Sequence, residues 1–110
     1  MGQYKDKLHG TLELLVLRTL ADAGAMHGTD ISDHISQTSQ DTLRVEEGSL
    51  YPALHRMNEA GWIKSQWKAS DNNRRARYYT ITASGRRHLA QIERRWDAHV
   101  DAVRRVLRPA

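Results

Sequence analysis

An apolar seam near the C-terminus is the feature that most limits how this chain can fold. The seam recurs at intervals of three and four residues within a helix predicted over residues 83–107. Its members are Leu89, Ile92, Trp96, His99, Val103 and Val106. This heptad spacing is typical of helices that pair along a common line. A helix of this length spans ~37 Å, which is longer than one small domain covers. The chain has 110 residues, so we expect a second copy to cover the seam in a homodimer.

The first helix, predicted over residues 9–24, is apolar on more than one face. A helix that is apolar on most sides is buried on most sides. In so short a chain we expect part of that burial to come from the second subunit, and we assign Leu12 to the dimer interface together with the seam. Gly24 predicts the end of this helix in a left-handed cap.

A second, shorter helix is predicted over residues 28–38, with one narrow apolar stripe. Thr29 or Asp30 can supply its N-terminal cap, because both side chains accept hydrogen bonds from free backbone N–H groups. After this helix, Leu43 and Val45 flank a polar residue. That alternation predicts a very short strand.

A third helix is predicted over residues 48–60, ended by Gly61. Two strands rich in β-formers follow at residues 62–68 and 76–82. The polar, basic segment between them predicts a hairpin turn. The predicted order is helix, helix, short strand, helix, hairpin, long helix, and Thr82 or Ser84 caps the last helix.

The predicted fold class is therefore mainly α with a small β-hairpin. We expect a winged helix-turn-helix over residues 1–82 and a C-terminal dimerisation helix over residues 83–110. In such an arrangement the third helix enters the DNA major groove, which is wide enough for one helix. The hairpin, or wing, carries basic residues to the flanking phosphates.

Positive charge is concentrated in the second half of the chain. The formal net charge is +4 at pH 7, yet residues 1–63 carry five Lys or Arg against nine Asp or Glu. Residues 64–85 carry five basic residues against one acidic, and residues 86–110 carry seven against three. A basic segment on a folded domain favours a polyanion such as nucleic acid. The alternative is a solvated basic face that binds nothing.

The composition argues against several classes of protein. With no cysteine, the chain has no disulfide, thiolate metal site or cysteine nucleophile. Its six histidines lack metal-site spacing, and no catalytic motif is present, so we expect neither an enzyme nor a metal or other cofactor. Without an apolar run of ~18–20 residues or the apolar core of a signal peptide, we expect a cytoplasmic protein that makes no membrane contact.

Three stretches of the chain resemble a known family. They are LHGTLELLVLRTLADAGAMHGTDI, EEGSLYPALHRMNEAGWIK and NNRRARYYTITASGRRHL. Over about residues 8–107 the chain resembles the PadR family of bacterial transcriptional regulators, and its single C-terminal helix is similar to the smaller PadR subtype. The resemblance implies a homodimer that binds a palindromic operator in double-stranded DNA and usually represses a neighbouring gene. In many members it also implies release by a small-molecule effector. Family members often carry an aromatic residue where this chain has Thr29.

Nine residues are candidates for DNA contact. They are Ser49, Tyr51, His55 and Arg56 of the third helix, and Lys64, Asn72, Asn73, Arg74 and Arg75 of the wing. Hydroxyls in the first turn of a helix donate to phosphates or base edges, and arginines reach phosphates or the minor groove. The alternative for Tyr51 is packing on the second helix, and for His55 an idle surface position. Arg56 could instead pair with Glu59, and the wing tip could be a flexible solvated turn.

Two interpretations apply to Trp96. As a large side chain in the seam, it is an interface anchor. In some proteins of the family that this chain resembles, an aromatic residue at the dimer interface stacks on a flat, apolar or aromatic effector. Trp96 is the candidate for that role. His99, one turn further on, fixes the register, bonds across the two-fold axis or points to solvent.

The leading hypothesis is a sequence-specific DNA-binding regulator that acts as a dimeric repressor. A nonspecific architectural DNA-binding protein would share its salt-sensitive affinity but lack sequence preference. A winged-helix module that binds only other proteins is the third candidate, favoured by the acidic first half and opposed by the arginines of the wing.

Overall fold

The computed structural model describes residues 2–69 and 72–109, and the side chains from residue 11 onward within those ranges. These ranges contain four helices and three strands. In chain order they are α1 (Gly2–Ala23), β1 (Met26–His27), α2 (Gly28–Thr38), α3 (Glu47–Glu59), β2 (Ile63–Ala69), β3 (Arg75–Ile81) and α4 (Ala83–Leu107). The predicted fold class is confirmed: the chain is mostly helical, with a small antiparallel sheet in the wing and a long C-terminal helix. Ser70 and Asp71, in the predicted hairpin turn, lie outside the described residues.

Helix α1 forms the centre of the fold and packs against α2, α3, β3 and α4. The buried core consists of Leu12, Val16, Leu17, Leu20, Ile31, Ile35, Leu50, Ala53, Leu54, Met57, Ile63, Tyr79 and Leu89. The buried hydroxyl of Thr19 donates to the carbonyl of Leu15 at 2.8 Å, so this polar group is satisfied within the helix. The prediction that α1 begins at residue 9 is wrong, because the helix begins at Gly2. Residues 2–8 contain no proline, and most are competent helix formers, so nothing in them stops the helix.

The prediction of a strand at Leu43 and Val45 is also wrong. Hydroxyls of α2 and of its C-cap residue bind the backbone there instead. Ser32 Oγ donates to the carbonyl of Val45 at 3.2 Å, and the N–H of Leu43 donates to Oγ of the C-cap Ser39 at 3.0 Å. Because these side chains satisfy the backbone groups, the segment between α2 and α3 is a loop held against α2.

The short strand is β1, which precedes α2 instead of following it. It pairs antiparallel with β3, with Met26 opposite Tyr79 and His27 opposite Tyr78, and the sheet order is β1-β3-β2. The observed order is therefore helix, short strand, helix, helix, hairpin, long helix. This pairing ties the start of α2 to the base of the hairpin.

Side-chain caps begin two of the helices. His27 Nδ1 accepts from the N–H of Asp30 at 3.3 Å, so the predicted cap of α2 at Thr29 or Asp30 is wrong. The helix begins at Gly28, two residues earlier than a cap at Thr29 requires and three earlier than a cap at Asp30. Thr82 caps α4 as predicted, because its Oγ1 accepts from the N–H of Gly85 at 3.0 Å.

A left-handed glycine follows α3, as predicted. Gly61 has φ +81°, its N–H donates to the carbonyl of Asn58 at 3.1 Å, and the N–H of Trp62 donates to that of Met57 at 3.0 Å. These two bonds form a Schellman motif, which satisfies carbonyls at the helix end. The chain then turns directly into β2.

Arg18 and Glu93 join α1 to α4. Arg18 Nε donates to Glu93 Oε1 at 2.7 Å, and Arg18 Nη2 donates to the same oxygen. A further bond from Arg18 Nη1 to Asp22 lies within α1, at 3.0 Å. These hydrogen bonds raise the pKa of the Arg18 guanidinium above its ordinary value, and the bond to Glu93 contributes most. The contact lies near the point where α4 leaves the core.

Beyond this contact α4 extends away from the core. The described molecule measures 57 × 29 × 26 Å, longer in one direction than a compact chain of this length. Val103, Val106 and Leu107 are 42%, 80% and 71% exposed. None of the described helices combines the length and the apolar character needed to cross a bilayer.

Candidate nucleic-acid interface

An open cleft of about 590 Å³ lies between the start of α2, the first turn of α3 and the hairpin. Four residues predicted to contact DNA line it: Tyr51, Asn72, Arg74 and Arg75. Residues far apart in the sequence thus share one surface, because β3 pairs with β1 and thereby lies beside the start of α2. The cleft is the described surface that brings the third helix and the wing together.

The Tyr51 ring packs across Gly28, at the start of α2. A Cβ placed on Gly28 would lie 2.8 Å from the Tyr51 hydroxyl oxygen, so the ring occupies the space that a side chain would need. Tyr51 is nevertheless 45% exposed. Tyr51 therefore both packs on the second helix and remains exposed to the cleft, and the absence of a side chain at Gly28 permits this.

Helix α3 buries one face and exposes the other. Leu50, Ala53, Leu54 and Met57 are buried, whereas the predicted DNA contacts Ser49, His55 and Arg56 are exposed. His55 Nε2 lies 3.1 Å from Glu59 Oε1, so His55 occupies the position beside Glu59 that Arg56 could have taken. The exposed face is thus available to a ligand that fits along one helix.

The two faces of the hairpin carry different residues. Side chains alternate between faces along a strand, and the register sets Trp67 opposite Arg77 and Ala69 opposite Arg75. This face continues from the buried Ile63 and lines the cleft. Lys64 lies on the opposite face, beside a separate depression lined by Lys68 and Tyr78. The structure therefore does not bring Lys64 together with the other predicted contacts.

The wing tip and β3 give the cleft its positive charge. Asn72, Asn73, Arg74 and Arg75 are all exposed, and Asn73 adopts φ +62° in the turn. Deeper in the cleft, burial raises the pKa of the Tyr79 hydroxyl, and the nearby charge of Arg77 opposes that shift. Tyr79 is therefore a neutral hydroxyl at physiological pH. Such an arrangement can bind an anionic backbone through the arginines and offer hydroxyl and amide groups beside it.

Trp67, Arg77 and Thr29 are among the cleft residues that were missing from the predicted set. Trp67 is 55% exposed, a large apolar side chain left in solvent on the hairpin. Its place could have been found by counting alternate residues from Ile63, the strand residue nearest to the core. Thr29 lies in the cleft with a side chain smaller than the aromatic residue expected from the resemblance.

The residues predicted to form the dimer interface, Leu12 and the seam, are divided between the core and solvent. Leu12 and Leu89 are buried within the subunit, at 6% and 4% exposure, and Ile92 is partly buried against the core. Trp96, His99, Val103 and Val106 are exposed, and the Trp96 and His99 rings lie 6.1 Å apart. A groove of about 280 Å³ beside Trp96 is lined by Leu14, Leu15, Arg18, Glu93 and Asp97.

A metal site is a poor fit to the described side chains. Among them, no three His, Cys, Asp or Glu residues come together in a group that could hold an ion. His9 belongs to residues 2–10, whose side chains are outside the described set.

Comparisons with known proteins agree with this geometry. Residues 16–91 match the model of the transcriptional regulator PadR-like family. The transcriptional regulator Rv3488 of Mycobacterium tuberculosis is 32% identical over 83 residues, covering 76% of this chain and 73% of that protein. A transcriptional regulator from Clostridium thermocellum is similar in structure, with a TM-score of 0.84, 25% identity and coverage of 94% and 99% of the two chains. A PadR-like transcriptional regulator of Bacillus cereus has a TM-score of 0.74, 25% identity and full coverage of both chains.

Proposed function

This chain belongs to the PadR-like family of transcriptional regulators, and we propose that it is a homodimer that binds a palindromic operator in double-stranded DNA and represses transcription. In this proposal residues 1–82 bind the DNA and residues 83–110 hold the dimer together. The role requires a cytoplasmic location, where a bacterial chromosome lies.

The observation that carries the proposal is the shared cleft. It sets Tyr51, the fifth residue of α3, beside Arg74 and Arg75 of the wing. A helix that enters a major groove needs flanking contacts to phosphates, which fix its position and orientation on the duplex. Arginine suits these contacts because its guanidinium forms paired hydrogen bonds with phosphate oxygens.

The exposed half of the seam supports the dimer. Trp96 is 44% exposed and Val106 80% exposed, and both recur at heptad spacing with Val103 between them. Apolar side chains in a line along a projecting helix favour a second such helix as their cover. In a two-fold dimer the two copies of α3 should lie about one turn of DNA apart, ~34 Å.

The groove beside Trp96 supports regulation by a flat, apolar or aromatic effector. The Trp96 side chain is 44% exposed, and Leu14 and Leu15 supply apolar walls. An effector stacked there would act on DNA binding by favouring a dimer geometry in which the two copies of α3 no longer match successive turns.

The test of DNA binding compares two duplexes at two salt concentrations: the DNA upstream of the protein's own gene, and a scrambled duplex of equal length and composition. We expect at least about a hundredfold preference for the upstream DNA. Equal affinity for both would identify a nonspecific architectural protein, and binding to neither would favour a module that contacts only proteins. Tyr51→Phe and Tyr51→Ala variants then separate the contribution of the hydroxyl from that of the ring.

The test of the dimer uses light scattering on Val103→Asp, which puts a charge in the exposed seam without touching the subunit core. We expect this variant to be a folded monomer. Asp101→Ala, a change on another face of the same helix, is the matched control and should remain dimeric. A Val103→Asp variant that stays dimeric would contradict the assignment of the seam.

A further inference from the structure

Trp67, on the face of the wing that lines the cleft, contacts two arginines. The guanidinium carbons of Arg75 and Arg77 each lie 5.7 Å from the centre of the Trp67 ring. The register explains this geometry, because Arg77 lies directly opposite Trp67 on the neighbouring strand and Arg75 is two residues away on the same face. One aromatic ring thus holds two cationic groups side by side.

Burial does not account for a tryptophan at this position. Trp67 is 55% exposed and is absent from the buried core. Arg77 is held from a second direction, because its Nε donates to Ser65 Oγ at 3.0 Å. Neither Arg75 nor Arg77 forms an ion pair with a described residue. Both guanidinium groups therefore contact an aromatic ring, Arg77 also contacts a hydroxyl, and their charges are left available to an external anion.

We propose that Trp67 is a positioning residue for DNA binding, one that orders Arg75 and Arg77 as a pair before the DNA arrives. An arginine side chain loses rotamer freedom when it binds a phosphate, and a side chain that is already ordered loses less. The proposal rests on the proposed function, since it concerns the same cleft. It adds that the arginines bind the backbone as a unit whose geometry depends on the indole ring.

The first test examines the free protein, so it does not depend on DNA. The ring current of Trp67 should displace the NMR signals of the Arg75 and Arg77 side-chain Nε–H groups, and nitrogen relaxation should report restricted motion for both. Trp67→Ala should return both signals to the values of mobile arginines, whereas Trp67→Phe should keep part of the displacement. Arginine signals that are already mobile in the natural protein would overturn the proposal.

The second test is a double-mutant cycle on affinity for the upstream DNA. Trp67→Ala should weaken binding about fivefold to tenfold, and Trp67→Phe should recover most of the loss. With Arg75 and Arg77 both changed to Ala, adding Trp67→Ala should cost less than about twofold, because the ring then has nothing to position. Gln66→Ala, an exposed change on the same strand, is the matched control and should leave affinity unchanged.

The outcomes of the cycle separate the alternatives. An undiminished loss from Trp67→Ala in the variant that lacks both arginines would mean that the indole contacts DNA itself, and would overturn the positioning role. No loss in the natural background would overturn it as well. Natural protein that binds neither duplex, or both equally, would instead refute the proposed function. Unchanged thermal unfolding of Trp67→Ala excludes a purely structural explanation.

Discussion

Replacing Gly85 with alanine should destabilise the fold, although alanine is the better helix former. Gly85 is the glycine of the RYYTITASG stretch and lies in the first turn of α4. A Cβ on Gly85 would lie 2.0 Å from the carbonyl oxygen of Trp62 and 2.8 Å from Ile81 Cγ1. The helix start and the chain before β2 approach so closely that only a hydrogen fits between them.

The size of the destabilisation depends on which groups the new Cβ displaces. Alanine in place of glycine favours a helix by about 1 kcal/mol. Against this, overpacking costs roughly 1–3 kcal/mol. The Trp62 carbonyl also cannot retreat freely, because it accepts from the N–H of Thr82 at 3.0 Å. Loss of this bond adds about 1 kcal/mol. We expect a net destabilisation of about 1–3 kcal/mol, which lowers the Tm by about 5 °C or more.

Urea unfolding followed by far-UV circular dichroism measures this effect. All variants are compared at one protein concentration, because the proposed dimer would make stability depend on concentration. Gly48→Ala is the matched control, since Gly48 is helical, lies in α3 and has no atom within 4 Å of a built Cβ. It should raise the free energy of unfolding by up to ~1 kcal/mol. If Gly85→Ala is as stable as Gly48→Ala, the Trp62 carbonyl does not lie as close to Gly85 as described above.

Other perturbations test single contacts. His88→Phe should raise stability by about 1 kcal/mol at pH 8. It keeps the stack on Trp62, whose ring centre lies 3.6 Å away, and removes a buried Nε2 that makes no hydrogen bond with the described residues and lies 4.0 Å from Glu13 Oε2, too far for one. A loss of stability in urea unfolding would show that the contact with Glu13 is stabilising. Arg18→Met should cost only about 0.5–1 kcal/mol, since the Arg18 and Glu93 side chains are 48% and 37% exposed, and a loss of several kcal/mol would contradict this. Because burial raises the pKa of Tyr79, the stability it contributes is complete below pH ~10 and is lost as the pH rises above that value, where the unfolded chain ionises first. A Tyr79→Phe variant should lose less stability than the natural protein between neutral pH and alkaline pH, and equal losses would contradict the assignment.

The helices were predictable because their signals are local. The heptad spacing of α4, the cap at Thr82 and the left-handed Gly61 all act within a few residues of the positions that they determine. Strand β1 carries no such signal, since it has two residues and exists only through its pairing with β3. Leu43 and Val45 have the alternation of a strand, but hydroxyls of α2 and of its C-cap Ser39 bind the N–H of Leu43 and the carbonyl of Val45 instead.

Which hairpin residues line the cleft depends on the face of the strand to which each side chain points, more than on how close the residues are in the sequence. Grouping basic residues by position put Lys64 with the wing arginines and left out Trp67 and Arg77. The side-chain period of a strand is two, so one buried residue determines the face of every other residue in it. Ile63 faces the core, so Trp67, four residues on, shares its face, whereas Lys64, the next residue, cannot. The same count on β3 puts Arg77 beside Trp67. A buried residue at the base of the hairpin therefore decides which charges reach the cleft, and moving it by one register would exchange the arginine face for the lysine face.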